Sequence, residues 1–243
     1  MEQQQRKVVQ RVRHALLRRE LTVDSVTPLG EHFVSITFGG EALADFVSLG
    51  FDDHVKFMLD DGAGEPVRRD YTPRRYDAQS RQLTLEFALH GEGAASDWAR
   101  QAAPGQAAVI GGPKGSMIVP LDFDWHLLVA DATGLPAIRR RLEELPSGTR
   151  AIVVALAGAG DRLLPDTQAQ LDVHWVDDAD ALVAALRAVA LPAGEGYAWG
   201  GGEAAMMRRV RDVLVVDKAL PKEAMRVSAY WKQGAADFHE DIS

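Results

Sequence analysis

Along residues 21–119 apolar and polar side chains alternate in short runs, the period-2 signature of half-buried strands. Val34-Ser35-Ile36-Thr37-Phe38 is the clearest case, and residues 54–59 and 83–89 repeat it. Gly39-Gly40, Asp60-Asp61-Gly62 and Pro104-Gly105 punctuate the runs with turn residues. Short strands at this spacing predict a closed antiparallel barrel. One helix, residues 95–101, interrupts it, with Ser96 as its expected cap.

After Pro120 the pattern changes. Trp125-His126-Leu127-Leu128-Val129-Ala130 is apolar almost throughout, as in a strand buried on both faces. Further strands are expected at 150–156, 173–176, 196–199 and 226–230, separated by helical spacing at 135–145, 180–189 and 204–216. In the first of these helices Arg139, Arg140, Arg141, Glu143 and Glu144 are assigned to the wet side. Strands alternating with helices predict a parallel sheet flanked by helices. The chain therefore reads as a β-barrel domain, residues 1–120, followed by an α/β domain, residues 121–243. The Arg-rich residues 1–20 read as a solvated arm or lead-in helix, ahead of a membrane-surface helix. The acidic residues 237–243 read as a disordered tail.

Composition narrows the field. The net charge is -8, which argues against general nucleic-acid binding. There are no cysteines, so thiolate metal sites, cysteine nucleophiles and disulfides are excluded. No run of about 18 apolar residues predicts a membrane span, and a cytoplasmic location is expected.

The candidate chemistry begins at Arg69-Asp70-Tyr71-Thr72-Pro73-Arg74. Guanidinium groups match pyrophosphate oxygens, and an aromatic ring with a neighbouring hydroxyl suits a flat redox ring. In an extended segment Arg69, Tyr71 and Pro73 share one face and Asp70, Thr72 and Arg74 the other. His90-Gly91-Glu92-Gly93-Ala94-Ala95-Ser96-Asp97-Trp98-Ala99 follows. The backbone N–H groups of Gly93, Ala94, Ala95 and Ser96 are placed to hold a pyrophosphate. His90 is a phosphate or ribose partner or a strand-end cap, and Trp98 a cofactor cover or a core residue. Gly112-Pro113-Lys114-Gly115-Ser116 reads as a turn. In open α/β sheets ligands bind beyond the carboxyl ends of the strands. Two glycine-bearing loops lie there: Asp131-Ala132-Thr133-Gly134-Leu135-Pro136-Ala137 and Trp199-Gly200-Gly201-Gly202-Glu203.

In this order the motifs, with Tyr230-Trp231-Lys232-Gln233-Gly234, resemble the siderophore-interacting protein family of flavin-dependent ferric-siderophore reductases, whose fold is ferredoxin-reductase-like. The resemblance spans residues 21–234. It implies FAD held non-covalently by the barrel and NAD(P)H at the α/β domain, with NADPH favoured. Cofactor-binding roles follow for Arg69, Tyr71, Thr72, Arg74, His90, Gly93, Ala94, Ala95, Ser96 and Trp98 on the barrel side. On the other side they fall to Asp131, Thr133, Pro136, Trp199, Gly201 and Glu203. Tyr71 would cover the flavin ring and Thr72 would face its redox-active nitrogen. Lys56, Lys114 and Lys232 match a basic triad expected to receive an anionic ferric siderophore, of catecholate type. At 114 and 232 the family commonly carries arginine, so charge survives but bidentate geometry does not.

The implied reaction needs no side-chain acid, base or nucleophile, because the flavin carries the redox chemistry. Arg162 is the candidate for a nucleotide 2′-phosphate, with Asp161 beside it opposing one. A monomer is expected, and a ferredoxin donor stays open. Two rivals remain at this point: a general flavin reductase or electron-transfer module, and a non-catalytic siderophore carrier.

Overall fold

Two sheets account for most of the chain in the computed structural model, which describes residues 7–59, 67–89, 93–235 and 240–242. Strands β1 (Gln10–Arg13), β2 (Arg18–Leu29), β3 (Phe33–Gly39), β4 (Val55–Leu59), β5 (Val67–Tyr71), β6 (Arg75–Asp77) and β7 (Gln82–Ala88) precede helix α1 (Ala94–Gln101). Strands β8 (Ala107–Gly111) and β9 (Gly115–Ile118) follow it. Seven of these strands form a barrel-like antiparallel sheet in the order β5-β4-β8-β2-β3-β7-β6. Its alternation turns Ile36, Phe38, Phe57, Leu85 and Phe87 inward, each 0% exposed. Trp98 of α1 joins them, its ring 4.7 Å from that of Phe57.

The second sheet is built from β10 (Trp125–Ala130), α2 (Leu135–Glu144), β11 (Arg150–Leu156), β12 (Gln170–Val176), α3 (Ala179–Ala188), β13 (Gly196–Glu203), α4 (Ala204–Asp212), β14 (Met225–Trp231) and β15 (Glu240–Asp241). Its strand order is β12-β11-β10-β13-β14-β15. The first five of these are parallel, and all six residues of β10 are buried. The two halves of the chain thus have the architectures that the hydrophobic patterns predict.

Four local expectations are corrected. The N-terminal segment is not a helix where it is described: β1 pairs antiparallel with β9. The acidic tail is not wholly disordered, because β15 pairs with β14 and Ile242 N–H donates to the Val227 carbonyl at 2.8 Å. The helix expected over 204–216 is α-helical only to Asp212 and continues as a wider π turn, Val213–Asp217. Ser96 does not cap α1; Gly93 stands at that position, and the Ser96 hydroxyl donates back to the Ala88 carbonyl at 3.2 Å.

The largest departure is α2. Arg139 and Arg141 are 3% and 2% exposed rather than solvated. The helix lies in the seam between the two sheets, so its charged side meets the barrel instead of water. Arg139 Nη1 donates to Glu86 at 2.6 Å, and Arg74 makes two 2.7 Å bonds to Glu143. Arg140 Nη1 donates to the Pro73 carbonyl and to Ser48 Oγ, both at 2.8 Å. Arg141 Nη2 donates to the carbonyls of Val119 and Pro120.

Candidate functional site

Where the carboxyl ends of β10, β11 and β14 face the end of β5, a cleft of about 550 Å³ opens between the sheets. The barrel contributes Arg69, Asp70, Tyr71 and Thr72, with Phe33, His54 and Ala88. The second sheet contributes Asp131, Thr133 and Pro136, the segment Leu156-Ala157-Gly158, and Tyr230 with Trp231.

Strict alternation along Arg69-Asp70-Tyr71-Thr72 is not kept at the cleft, because β5 ends at Tyr71 and all four residues line it. The Tyr71 ring packs on Phe87, with centroids 4.2 Å apart. Burial raises the Tyr71 pKa above its ordinary value against the opposing charge of Arg69, so the phenol stays a neutral donor. Thr72 is buried, and its hydroxyl bonds to no described residue. Asp70 accepts from Lys56 Nζ at 2.8 Å through Oδ2, while its buried Oδ1 has no partner among the described residues. A flavin ring carries N–H and carbonyl groups that complement such an acceptor and such a hydroxyl. The residues present therefore fit the group.

Helix α1 starts close by. Its N-cap is Gly93, with no side-chain cap, so its first N–H groups are not claimed by a cap side chain. Ser96 ties this helix end to Ala88, a cleft residue. Gly93 and Ala94 are exposed and Ala95 is buried. This arrangement suits a pyrophosphate. His90 lies outside the described residues.

Asp131 holds the opposite wall together. It is 6% exposed, and burial raises its carboxyl pKa against four hydrogen bonds that lower it. Oδ1 accepts from the Thr133 N–H and hydroxyl; Oδ2 accepts from the Glu203 N–H at 2.8 Å and Trp231 Nε1 at 2.9 Å. The ends of β10, β13 and β14 are thereby drawn to one carboxylate. Gly202 must stay small, because a Cβ there would come within 2.7 Å of Asp131 Oδ2.

Several sequence candidates sit elsewhere. Arg74 is 9% exposed and is spent on Glu143 and Glu86, so it braces the seam rather than facing the cleft. Trp98 is half-buried and packs its ring against the barrel core. Trp199 is 0% exposed, against Phe51 and Tyr230, with Nε1 donating to Asp52 at 3.1 Å. Gly201 makes room for that indole, since a Cβ would lie 2.8 Å from it. The Glu203 carboxylate caps α4 by accepting from the Ala205 and Met206 N–H groups. Asp161 is 1% exposed and accepts from the Glu31 and His32 N–H groups, so it faces the barrel and opposes no phosphate. Arg162 donates from Nε to the Ala157 carbonyl at 3.0 Å, which sets it beside the cleft, and it pairs with Asp177.

Of the three lysines, Lys56 borders the cleft through Asp70. Lys114 and Lys232 are exposed and do not line it. Sequence reasoning missed Leu156-Ala157-Gly158, although the rule of carboxyl ends applies to β11 as well as to β10. It also left Tyr230 and Trp231 out of the site, although both stand at the end of a parallel strand.

The Siderophore-interacting FAD-binding domain profile matches residues 60–117, and the Siderophore-interacting protein profile matches residues 123–234. The chain is 36% identical to the NADPH-dependent ferric-chelate reductase of Escherichia coli over 91% of its own length and 96% of that protein. It is 26% identical to the ferric vibriobactin reductase of Vibrio cholerae, over 88% and 89% of the two chains. A siderophore utilization protein from T. fusca superposes with a TM-score of 0.87 at 29% identity, covering 96% of this chain and 98% of that one.

Proposed function

Because the chain belongs to the siderophore-interacting protein family, we propose that the cleft is where it acts, as an NADPH-dependent, FAD-containing ferric-siderophore reductase. The observation that carries this reading is the facing of Arg69-Asp70-Tyr71-Thr72 by the strand ends at Asp131, Leu156 and Trp231. One wall suits a flavin and the other a nicotinamide. FAD held there would supply the redox chemistry that links a two-electron hydride donor, NADPH, to the one-electron acceptor Fe(III). The weaker grip of hard oxygen donors on Fe(II) then releases the metal.

The side chains bind and orient. Arg69 and the open start of α1, at Gly93, Ala94 and Ala95, hold the FAD phosphates. Tyr71 would cover the flavin ring, and the Thr72 hydroxyl and Asp70 Oδ1 would offer hydrogen-bond partners to its polar groups. Thr133, Pro136 and Gly158 seat the nicotinamide half, and Arg162 takes the 2′-phosphate. Lys56, Lys114 and Lys232 supply positive charge for an anionic, catecholate-type chelate, although Lys56 is shared with Asp70. The protein works as a cytosolic monomer. No helix among the described residues is long and apolar enough to cross a membrane.

The FAD-loaded protein is expected to be yellow, to bleach anaerobically with NADPH, and to recover colour on adding a ferric siderophore while an Fe(II) chelator reports released metal. Bleaching without recovery by the siderophore, but with recovery by free flavin, favours a general flavin reductase. Protein that stays colourless with excess FAD removes the proposal.

A further inference from the structure

A second hollow, of about 480 Å³, lies at the opposite, amino-terminal end of the parallel strands β13 and β14. That volume falls within the range of small-molecule sites, roughly 300–1,000 Å³. Tyr197, Met225 and Arg226 line it from the starts of β13 and β14. Trp231, at the cleft, is six residue steps farther along β14, on the order of 20 Å away. The hollow is therefore separate from the cleft. Its facing wall is the N-terminal arm, Lys7 to Arg11, which β1 fixes against β9.

Its lining is unusual for a chain of net charge -8. Four cations, Lys7, Arg11, Lys222 and Arg226, meet one carboxylate, Glu223. Arg226 is answered from below by Asp52, Nε to Oδ2 at 3.3 Å. Lys7 donates to the Asp122 carbonyl and lies over the Phe123 ring. Arg11 and Lys222 are exposed, and neither has an ion-pair partner among the described residues. Between the cations the wall is apolar, with Val9, Met117 and Met225.

Tyr197 supplies the independent observation. It lines the hollow, is 1% exposed, and its hydroxyl bonds to no described residue. Burial also keeps this phenol protonated and able to donate.

We propose that this hollow binds a small amphipathic organic anion, a carboxylate or phosphate monoester with an apolar body. Arg11, Lys222 and the Tyr197 hydroxyl receive the charged end, and Met117 and Met225 receive the body. A solvated crevice between arm and sheet would not need the charge imbalance.

The test is a fluorescence titration of the FAD-loaded protein with 1-anilinonaphthalene-8-sulfonate, followed by displacement with octanoate or inorganic phosphate. One saturable site is expected, displaced by octanoate at lower concentration than by phosphate. The exposed double replacement Arg11→Glu/Lys222→Glu should weaken the dye at least about tenfold, since two charge-assisted contacts are lost. Tyr197→Phe should weaken it by about fivefold, the worth of one neutral hydrogen bond. Exposed Arg187→Ala, on α3 and outside both hollows, should leave dye affinity unchanged. Absence of saturable binding, or equal affinity in the charge-reversed variant, overturns the proposal. Phosphate displacing as well as octanoate removes its amphipathic part.

Discussion

Arg139 Nη1 lies 2.6 Å from Glu86 Oε2 across the seam between the two sheets, with both side chains almost fully buried. Glu86 also pairs with Arg74 at 3.1 Å, and it lines the cleft. One carboxylate thus couples the cofactor wall to the helix that follows β10.

Breaking this pair from one side leaves a buried charge under-compensated, which costs about 3 kcal/mol or more. Arg139→Leu is expected to lower unfolding stability by that amount, read from urea denaturation. Combined with Glu86→Gln it should show a coupling above about 1 kcal/mol. Additive losses would mean that the contact contributes nothing specific.

His126 sets an acid limit. It is 1% exposed in β10, and burial, helped by the charges of Arg141 and Lys7, pushes its pKa down to about 3. The unfolded chain binds the proton near pH 6.5. Between those values the unfolded state holds more protons, so stability falls as pH falls, by at most about 1.4 kcal/mol per pH unit. Above about pH 6.5 the group contributes no slope. Denaturation midpoints at pH 7 and 5 should differ more in the parent than in His126→Leu; parallel curves would refute the buried neutral imidazole.

Arg69→Ala is expected to weaken FAD about ten- to a hundredfold, the worth of charge-assisted phosphate bonds. Flavin fluorescence in an equilibrium titration measures it. Arg74→Ala should instead act on stability, since its guanidinium is bound by Glu143 and Glu86. The reverse outcome would restore Arg74 to the cofactor.

Arg162→Ala should raise KM for NADPH about tenfold and leave KM for NADH unchanged, as expected for loss of a cation at the 2′-phosphate. Equal changes for the two nucleotides would place the 2′-phosphate elsewhere.

Asp131→Ala strips the acceptor from four donors and should cost about 3 kcal/mol, whereas Trp231→Phe removes one donor and should cost about 1 kcal/mol. Thermal unfolding separates the two. A mild effect of Asp131→Ala would mean that neighbouring groups re-pair its donors.

The strands and helices were largely legible because their burial follows the two periods, as in Val34-Ser35-Ile36-Thr37-Phe38 and the apolar run of β10. What pattern could not reveal was what faces a charged side. Arg139 and Arg141 look solvated in sequence because water is the usual partner of arginine, and only the docked barrel supplies Glu86 and the Val119 carbonyl. The site was legible in part for the same reason. Tyr71, Thr72, Asp131 and Thr133 fall at strand ends and reach the cleft. Trp199 and Arg74 carry equally suggestive chemistry but are consumed by Asp52, Glu143 and Glu86. The strand at the N-terminus depends on a partner, β9, about a hundred residues away along the chain, which no local period encodes.

Helix α2 opens at the cleft through Pro136 and is then fastened along its length to Glu86, Pro73, Ser48 and Val119. Swinging the two lobes apart would break all of these attachments at once, so the cleft is framed by one continuous brace.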